Sequence, residues 1–300
     1  MDKSHVDQDT EARLGFFSAL AAFSLWGFAP LYFKLLGHIH SVEIIAHRVL
    51  WSVFILLLVL SIRHRHSLIR HIRCDRKTLL TLFLTGSLVG SNWLIFVFAV
   101  NSDQVLSTSL GYFINPLVTV SLGMLVFRER LTGLQVAGVV SAAVGTLYLT
   151  LSAGQVPWIA LSLALTFGFY GMIRKKLDVG PMVGLFWETV LVLPLALAWL
   201  LWRNGRHELT AQWGSVPELL TLAGTGLMTV FPLLLFAAGV RRLNLSTVGL
   251  MQYIAPSLSF CMAVFVFREE FTLDHAITFS CIWLGLCMYT WSGWVNRVRS

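Results

Sequence analysis

Four ionisable side chains stand inside stretches that are otherwise apolar: Glu43, His47 and Arg48 in one run, Glu188 in another. A charge in such a setting is costly to dehydrate and marks a functional position. Arg48 offers a planar fork of donors that matches a carboxylate. His47 and Glu188 are the proton-coupling candidates, since an imidazole titrates near neutral pH and desolvation can bring a carboxyl there. The structural alternatives are a His47 locked by Glu43, one turn away, and a Glu188 held by hydrogen bonds at the cytoplasmic edge. Glu43 itself, at the end of its run, reads as interfacial. Polar, aromatic and helix-breaking residues in other runs complete the expected substrate pathway: Trp26, Pro30, Asn92, Trp93, Tyr112, Asn115, Pro116, Tyr170, Gln252, Tyr253 and Pro256. No HExxH, Ser/Lys or paired-Asp pattern is present, so no catalytic residue and no metal or other cofactor is expected.

The elements that must position these groups are membrane helices. With 56% hydrophobic and 12% charged residues among 300, the chain departs far from soluble proteins, in which about a quarter of residues are charged. Ten apolar runs lie near residues 14–36, 42–62, 78–100, 106–127, 133–151, 157–174, 182–202, 218–240, 245–267 and 273–293. At ~1.5 Å per residue such runs suit a ~30 Å hydrocarbon core. They are apolar all round, which excludes a β-barrel. The first run has no small-residue cleavage site and reads as a retained helix. Cys74, Cys261, Cys281 and Cys287 have no CxxC spacing, so neither a disulfide framework nor a metal site is expected.

The net charge of +7 follows membrane topology and does not point to nucleic acid. With the N-terminus inside, cytoplasmic segments hold 17 Lys and Arg and the outer loops hold three, Arg203, Arg206 and Arg268. This asymmetry places both tails, 1–13 and 294–300, in the cytoplasm. The basic tract from Arg63 to Lys77, with His64, His66 and His71, reads as a topology signal beside anionic lipid, with a histidine metal site as the weaker alternative.

The chain also repeats itself. Residues 106–130 and 245–270 share an LST start, an aromatic-Ile-X-Pro centre and a Phe-Arg-Glu end, at a constant offset of 140 from Phe113/Tyr253 to Glu129/Glu269. Ten spans then divide into five at 14–151 and five at 157–293. Because five crossings is an odd number, the second copy is expected to lie inverted, a recurring plan of secondary transporters with the site near the midplane. There is no Walker-type loop, which leaves ion coupling, exchange or facilitation. Counted from the helix starts, Tyr112, Asn115 and Pro116 lie ~9 to 15 Å deep, and Gln252, Tyr253 and Pro256 at a similar depth from the other side. The offset pairs Arg48 with Glu188; Arg48 with His47 is expected in the outer half of the pathway and Glu188 in the inner half. Lys34 and Arg174, similarly paired, are expected to snorkel. Ala137, Gly138, Ser141 and Gly145 give the fifth span a small-residue face for close packing or a homodimer.

The Trp26–Pro30, His47-Arg48-Val-X-Trp51, Asn92-Trp93, Leu110–Pro116, Phe169–Lys175 and Glu188-Thr189 motifs together strongly resemble the RarD-type EamA transporters of the drug/metabolite transporter superfamily. The resemblance runs from Arg13 to Val295. It implies an all-α polytopic membrane protein of ten transmembrane helices, built as two inverted five-helix EamA-like repeats. It also implies a bacterial inner-membrane location and alternating-access movement, more often export, of a small metabolite or drug-like molecule. Spans one, three, four, six, eight and nine would line the cavity, with five and ten behind. Asn115, Asn92 and Arg48 correspond to Ala255, Pro232 and Glu188, so an asymmetric cavity with a cationic outer half is expected, suited to a carboxylate-bearing, amino-acid-like cargo. The readings set against transport are a membrane-embedded enzyme and a non-transporting receptor or assembly protein.

Overall fold

The computed structural model describes residues 3–63, 72–101, 105–152, 158–211, 215–265 and 273–299. Among these there are eleven helices and no strand: α1 (Lys3–Lys34), α2 (Ser41–Arg63), α3 (Arg76–Asn101), α4 (Val105–Phe127), α5 (Gly133–Ser152), α6 (Trp158–Lys176), α7 (Pro181–Gly205), α8 (Val216–Arg242), α9 (Leu245–Met251), α10 (Ile254–Phe265) and α11 (Leu273–Arg299). The stretch with His64, His66 and His71 and the second Phe-Arg-Glu, Phe267 to Glu269, lie outside the described residues, as do the side chains of Pro30 and Lys34.

Among the described residues, six stretches are long and apolar enough to cross a membrane: Thr10–Phe33, Ser41–Arg63, Arg76–Phe96, Gly133–Ser152, Pro181–Gly205 and Val216–Arg242. Gly111–Phe127 and Ala276–Ser292 are shorter apolar helices. Polarity is distributed as lipid requires. Leu125, Leu195, Leu201 and Leu220 face outward, whereas Glu43, His47, Thr85, Arg174, Glu188, Thr229 and Gln252 are buried.

Local chemistry sets the helix ends. Asp75 accepts from the Thr78 hydroxyl and from the backbone N–H groups of Lys77 (3.1 Å) and Thr78 (3.3 Å), capping α3. Those bonds, the Thr78 hydroxyl first, hold its carboxyl below the usual carboxylate range. Pro181 opens α7, where a missing N–H costs nothing. Pro256 has the opposite effect. Lacking an N–H and crowding the carbonyl four residues back, it separates α9 from α10 at Gln252 and Tyr253, where the Gln252 N–H is shared between the Val248 and Gly249 carbonyls and the Tyr253 N–H bonds to the Leu250 carbonyl three residues back. The ninth expected span is therefore two helices. In contrast, α4 runs unbroken through Pro116.

Helix pairing positions the site. α1 packs on α8 and α10, α2 on α7 and α8, α3 on α6 and α7, α4 on α6 and α9, and α5 on α11. The small-residue face of α5 meets α11 of the same chain. A Cβ on Gly138 would lie 2.6 Å from the Gly285 carbonyl oxygen, and one on Gly145 2.9 Å from Thr278 O and Cys281 Cβ. Ser141 Oγ donates to Cys281 O at 2.8 Å. Gly138, Ser141 and Gly145 thus serve close packing within the chain.

Candidate functional site

Arg48 on α2 points between helices. Its Nε donates to Thr229 Oγ1 of α8 at 2.9 Å, and the Thr229 hydroxyl in turn donates to Thr225 O at 2.8 Å. The guanidinium carbon lies 5.2 Å from the Phe33 ring centroid on α1 and 5.1 Å from that of Trp93 on α3. Weakly hydrated and planar, a guanidinium is suited to such aromatic faces. The Tyr112 hydroxyl of α4 is within electrostatic reach of it, and the Tyr112 ring sits 6.3 Å from that of Phe96. Five helices therefore converge on one cation. Among the described residues no carboxylate pairs with it.

Glu188 on α7 has the opposite environment. Thr85 donates to it at 2.6 Å and Tyr170 at 3.3 Å, and Arg174 Nε lies 3.6 Å away. Arg174 is 1% exposed, so it does not snorkel as expected. The reason is Gly184, where any Cβ would collide with the Arg174 guanidinium; the missing side chain makes the room into which Arg174 folds. Glu43 likewise departs from expectation. It is fully buried and accepts from Thr210 N (2.8 Å), Thr210 Oγ1 (2.8 Å) and Ala211 N (3.2 Å), tying the start of α2 to the chain between α7 and α8. Buried His47 lies within electrostatic reach of Glu43.

A polar track descends one face of α4 from Tyr112. Asn115 and Thr119 follow, and Thr119 Oγ1 donates to Gln252 Oε1 across the break between α9 and α10 at 3.2 Å. Asn115 Oδ1 is buried without a hydrogen bond among the described residues. Pro116 O approaches Gly249 closely, 3.0 Å from where its Cβ would stand. Pro256 lies in the first turn of α10 and is partly buried.

The remaining expected residues are spoken for. Asn92 Nδ2 donates to Leu163 O and Thr166 Oγ1, both at 2.9 Å, tying α3 to α6. Tyr253 is fully buried and donates to Phe113 O at 3.1 Å. Trp26 packs with Phe23, Phe167 and Phe236, the last stacking on Tyr170. The structure thus brings Arg48, Trp93 and Tyr112 into one cluster and Glu188 and Tyr170 into another. Phe33, Thr229, Thr85 and the inward Arg174 were not anticipated, although the 140-residue offset pairs Thr85 with Thr225, a matched hydroxyl one turn from Thr229.

Known proteins agree with a transporter scaffold. The model of the EamA-like transporter family matches residues 13–151 and again 156–291. The chain belongs to this family, in its RarD branch. Among curated EamA relatives, an "Uncharacterized transporter" of Vibrio cholerae is 43% identical over 284 residues, covering 94% of each chain. Protein RarD of Escherichia coli K12 is 40% identical over 281 residues, covering 93% of this chain and 94% of the relative. A "Chloramphenicol-sensitive protein RarD" of Pseudomonas aeruginosa is 32% identical, covering 92% and 93%. One crystal structure superposes with a TM-score of 0.70 at 17% identity, covering 94% of this chain and 98% of that one, a likeness of fold. This EamA chain is accordingly a multi-pass bacterial membrane protein of transporter type, whose partners are the lipid bilayer and a small-molecule substrate.

Proposed function

We propose that the chain is a secondary transporter of the inner membrane that exports a small metabolite or drug-like molecule by alternating access, with Arg48 as the cargo anchor. Its halves, 14–151 and 157–293, form inverted five-helix units. Helix contacts support this, because exchanging the halves maps the α1–α8 contact onto α6–α3, α2–α8 onto α7–α3, and α4–α6 onto the contact of α9 and α10 with α1. Residues 140 apart also touch each other, Tyr253 with Phe113 and Ser141 with Cys281, as positions on a two-fold axis do. The observation that carries the reading is Arg48, held by helices of both halves yet paired with no carboxylate among the described residues. Trp93, Tyr112, Asn115, Pro116 and Gln252 continue the proposed pathway, with Trp26, Pro30, Asn92, Tyr253 and Pro256 shaping its walls.

The test compares small molecules in the medium of cells expressing the wild type or Arg48→Gln. At least one species should accumulate with the wild type and fall to the vector level with the variant. Identical profiles would sink the export role.

Glu188 is the group placed to carry a coupling proton, with buried His47 the second candidate. Its carboxylate joins α7 to Thr85 of the first half and to Tyr170 and Arg174 of the second, so a proton there loosens both halves at once. In Glu188→Gln protein that size exclusion shows to be folded, the pH dependence of transport in proteoliposomes should flatten; a full pH profile in that variant excludes the role.

A further inference from the structure

Of the ionisable groups inside the described spans, Glu43 is 0% exposed and His47, Arg174 and Glu188 are each 1% exposed. Among Glu43, His47, Arg48, Arg174 and Glu188, Arg48 is the member that keeps accessible surface. Glu43 is consumed by Thr210 and Ala211, and Glu188 is balanced by Arg174. Of these five buried or half-buried groups, the charge that a cargo can touch is therefore positive. We infer that the Arg48 cluster selects an organic monoanion that carries no ammonium group, a conclusion that rests on the transporter reading and gives it a substrate class.

The local geometry gives this class its shape. Phe33 and Trp93 lie against the guanidinium at 5.2 and 5.1 Å, and Thr229 occupies Nε at 2.9 Å. The terminal nitrogens make no hydrogen bond to a described residue, which leaves an N–H edge for an oxyanion in the guanidinium plane. Trp93, Phe96 and the half-exposed Tyr112 offer an apolar wall for the rest of the molecule. A zwitterion would bring its ammonium beside Arg48, where no described carboxylate pairs with the guanidinium, and would lose by like-charge repulsion and dehydration together. A dianion would need a second cation. This narrows the amino-acid-like cargo that Arg48 alone suggests to an acid.

The experiment measures binding to the purified full chain in detergent by thermal shift and tryptophan fluorescence. The probes are phenylacetate, phenylacetamide, phenethylamine and phenylglycine, with hexanoate and hexanamide as an aliphatic pair. The acids should bind about tenfold or more tighter than the amide, amine and zwitterion, the scale of a lost charged hydrogen bond. Arg48→Gln should erase that preference, and Arg48→Lys, which keeps the charge without the fork, should retain part of it. Size-exclusion profiles establish that both variants fold. The inference is overturned by zwitterion or amine binding as tight as the acid, by no acid binding at millimolar concentration, or by an Arg48→Gln protein with unchanged preference. Exchange of labelled phenylacetate across sealed proteoliposomes separates the two readings. Acid-selective binding without exchange leaves the charge selection standing and sinks transport.

Discussion

Arg174→Met should destabilise the protein by about 3–5 kcal/mol, the cost of stranding one member of a buried ion pair. Arg174 and Glu188 are each 1% exposed, with Nε and Oε1 3.6 Å apart. That separation is an ion pair without a good hydrogen bond, and Arg174 Nε and Nη1 have no hydrogen-bond partner among the described residues. The pair therefore stabilises little against an apolar replacement of similar volume, yet each member is ruinous alone. Glu188→Leu should accordingly cost a similar amount, because it leaves the guanidinium against Gly184 with no counter-charge. The double variant Arg174→Met with Glu188→Leu should recover most of the loss, less about 1 kcal/mol for the Tyr170 hydroxyl left without its acceptor. Thermal unfolding in detergent of the two single variants and the double variant measures the coupling. Losses that simply add would mean that the two charges do not compensate each other.

The same pair shows how far the sequence could be read. Arg48 and Glu188 stood out because charges inside apolar runs are rare, and their opposite signs at a 140-residue offset pointed to an asymmetric interior. Arg174 precedes Lys175 and Lys176 at a helix end, which is where snorkelling residues stand, yet it turns inward. What turns it inward is Gly184 on the next helix, a contact that no local pattern contains. The burial of Glu43 is equally invisible to local pattern, since its partners Thr210 and Ala211 lie 167 and 168 residues away. The small-residue face of α5 was legible as a packing face, but its partner α11 became known only through the fold. Pro116 and Pro256 occupy matched positions, and only the second breaks its helix.

Glu129→Ala should open the seam between α4 and α9 at the end remote from Tyr112, raising amide exchange across Leu245–Met251 about a hundredfold. Asn244, the residue before α9, makes no side-chain cap of its own. Glu129 supplies the cap from the other half: Oε1 accepts from Leu245 N at 2.6 Å, and Oε2 accepts from Ser246 N at 2.8 Å and from Ser246 Oγ at 2.6 Å. Two devices bring the carboxylate there. Arg128 adopts a left-handed φ of 54°, which turns the chain back so that Glu129 N bonds to Gly123 O at 3.2 Å. Gly123 leaves the space, since a Cβ on it would stand 2.7 Å from both Glu129 Oε2 and Ser246 Oγ. This gives the first Phe-Arg-Glu and the second LST a physical reason, for the end of one clamps the start of the other. Charge-assisted bonds at a helix N-terminus contribute about 1.5–3 kcal/mol each, and losing the set after discounting for non-additivity and water comes to about 3 kcal/mol. That is two decades of population. Hydrogen exchange read by mass spectrometry is the direct measure, and protection unchanged within about twofold would mean that α4–α9 packing at Gly249 holds the seam by itself. Because the polar track of Tyr112, Asn115, Thr119 and Gln252 runs along this seam, opening it would extend that track toward the Glu129 end of the helices.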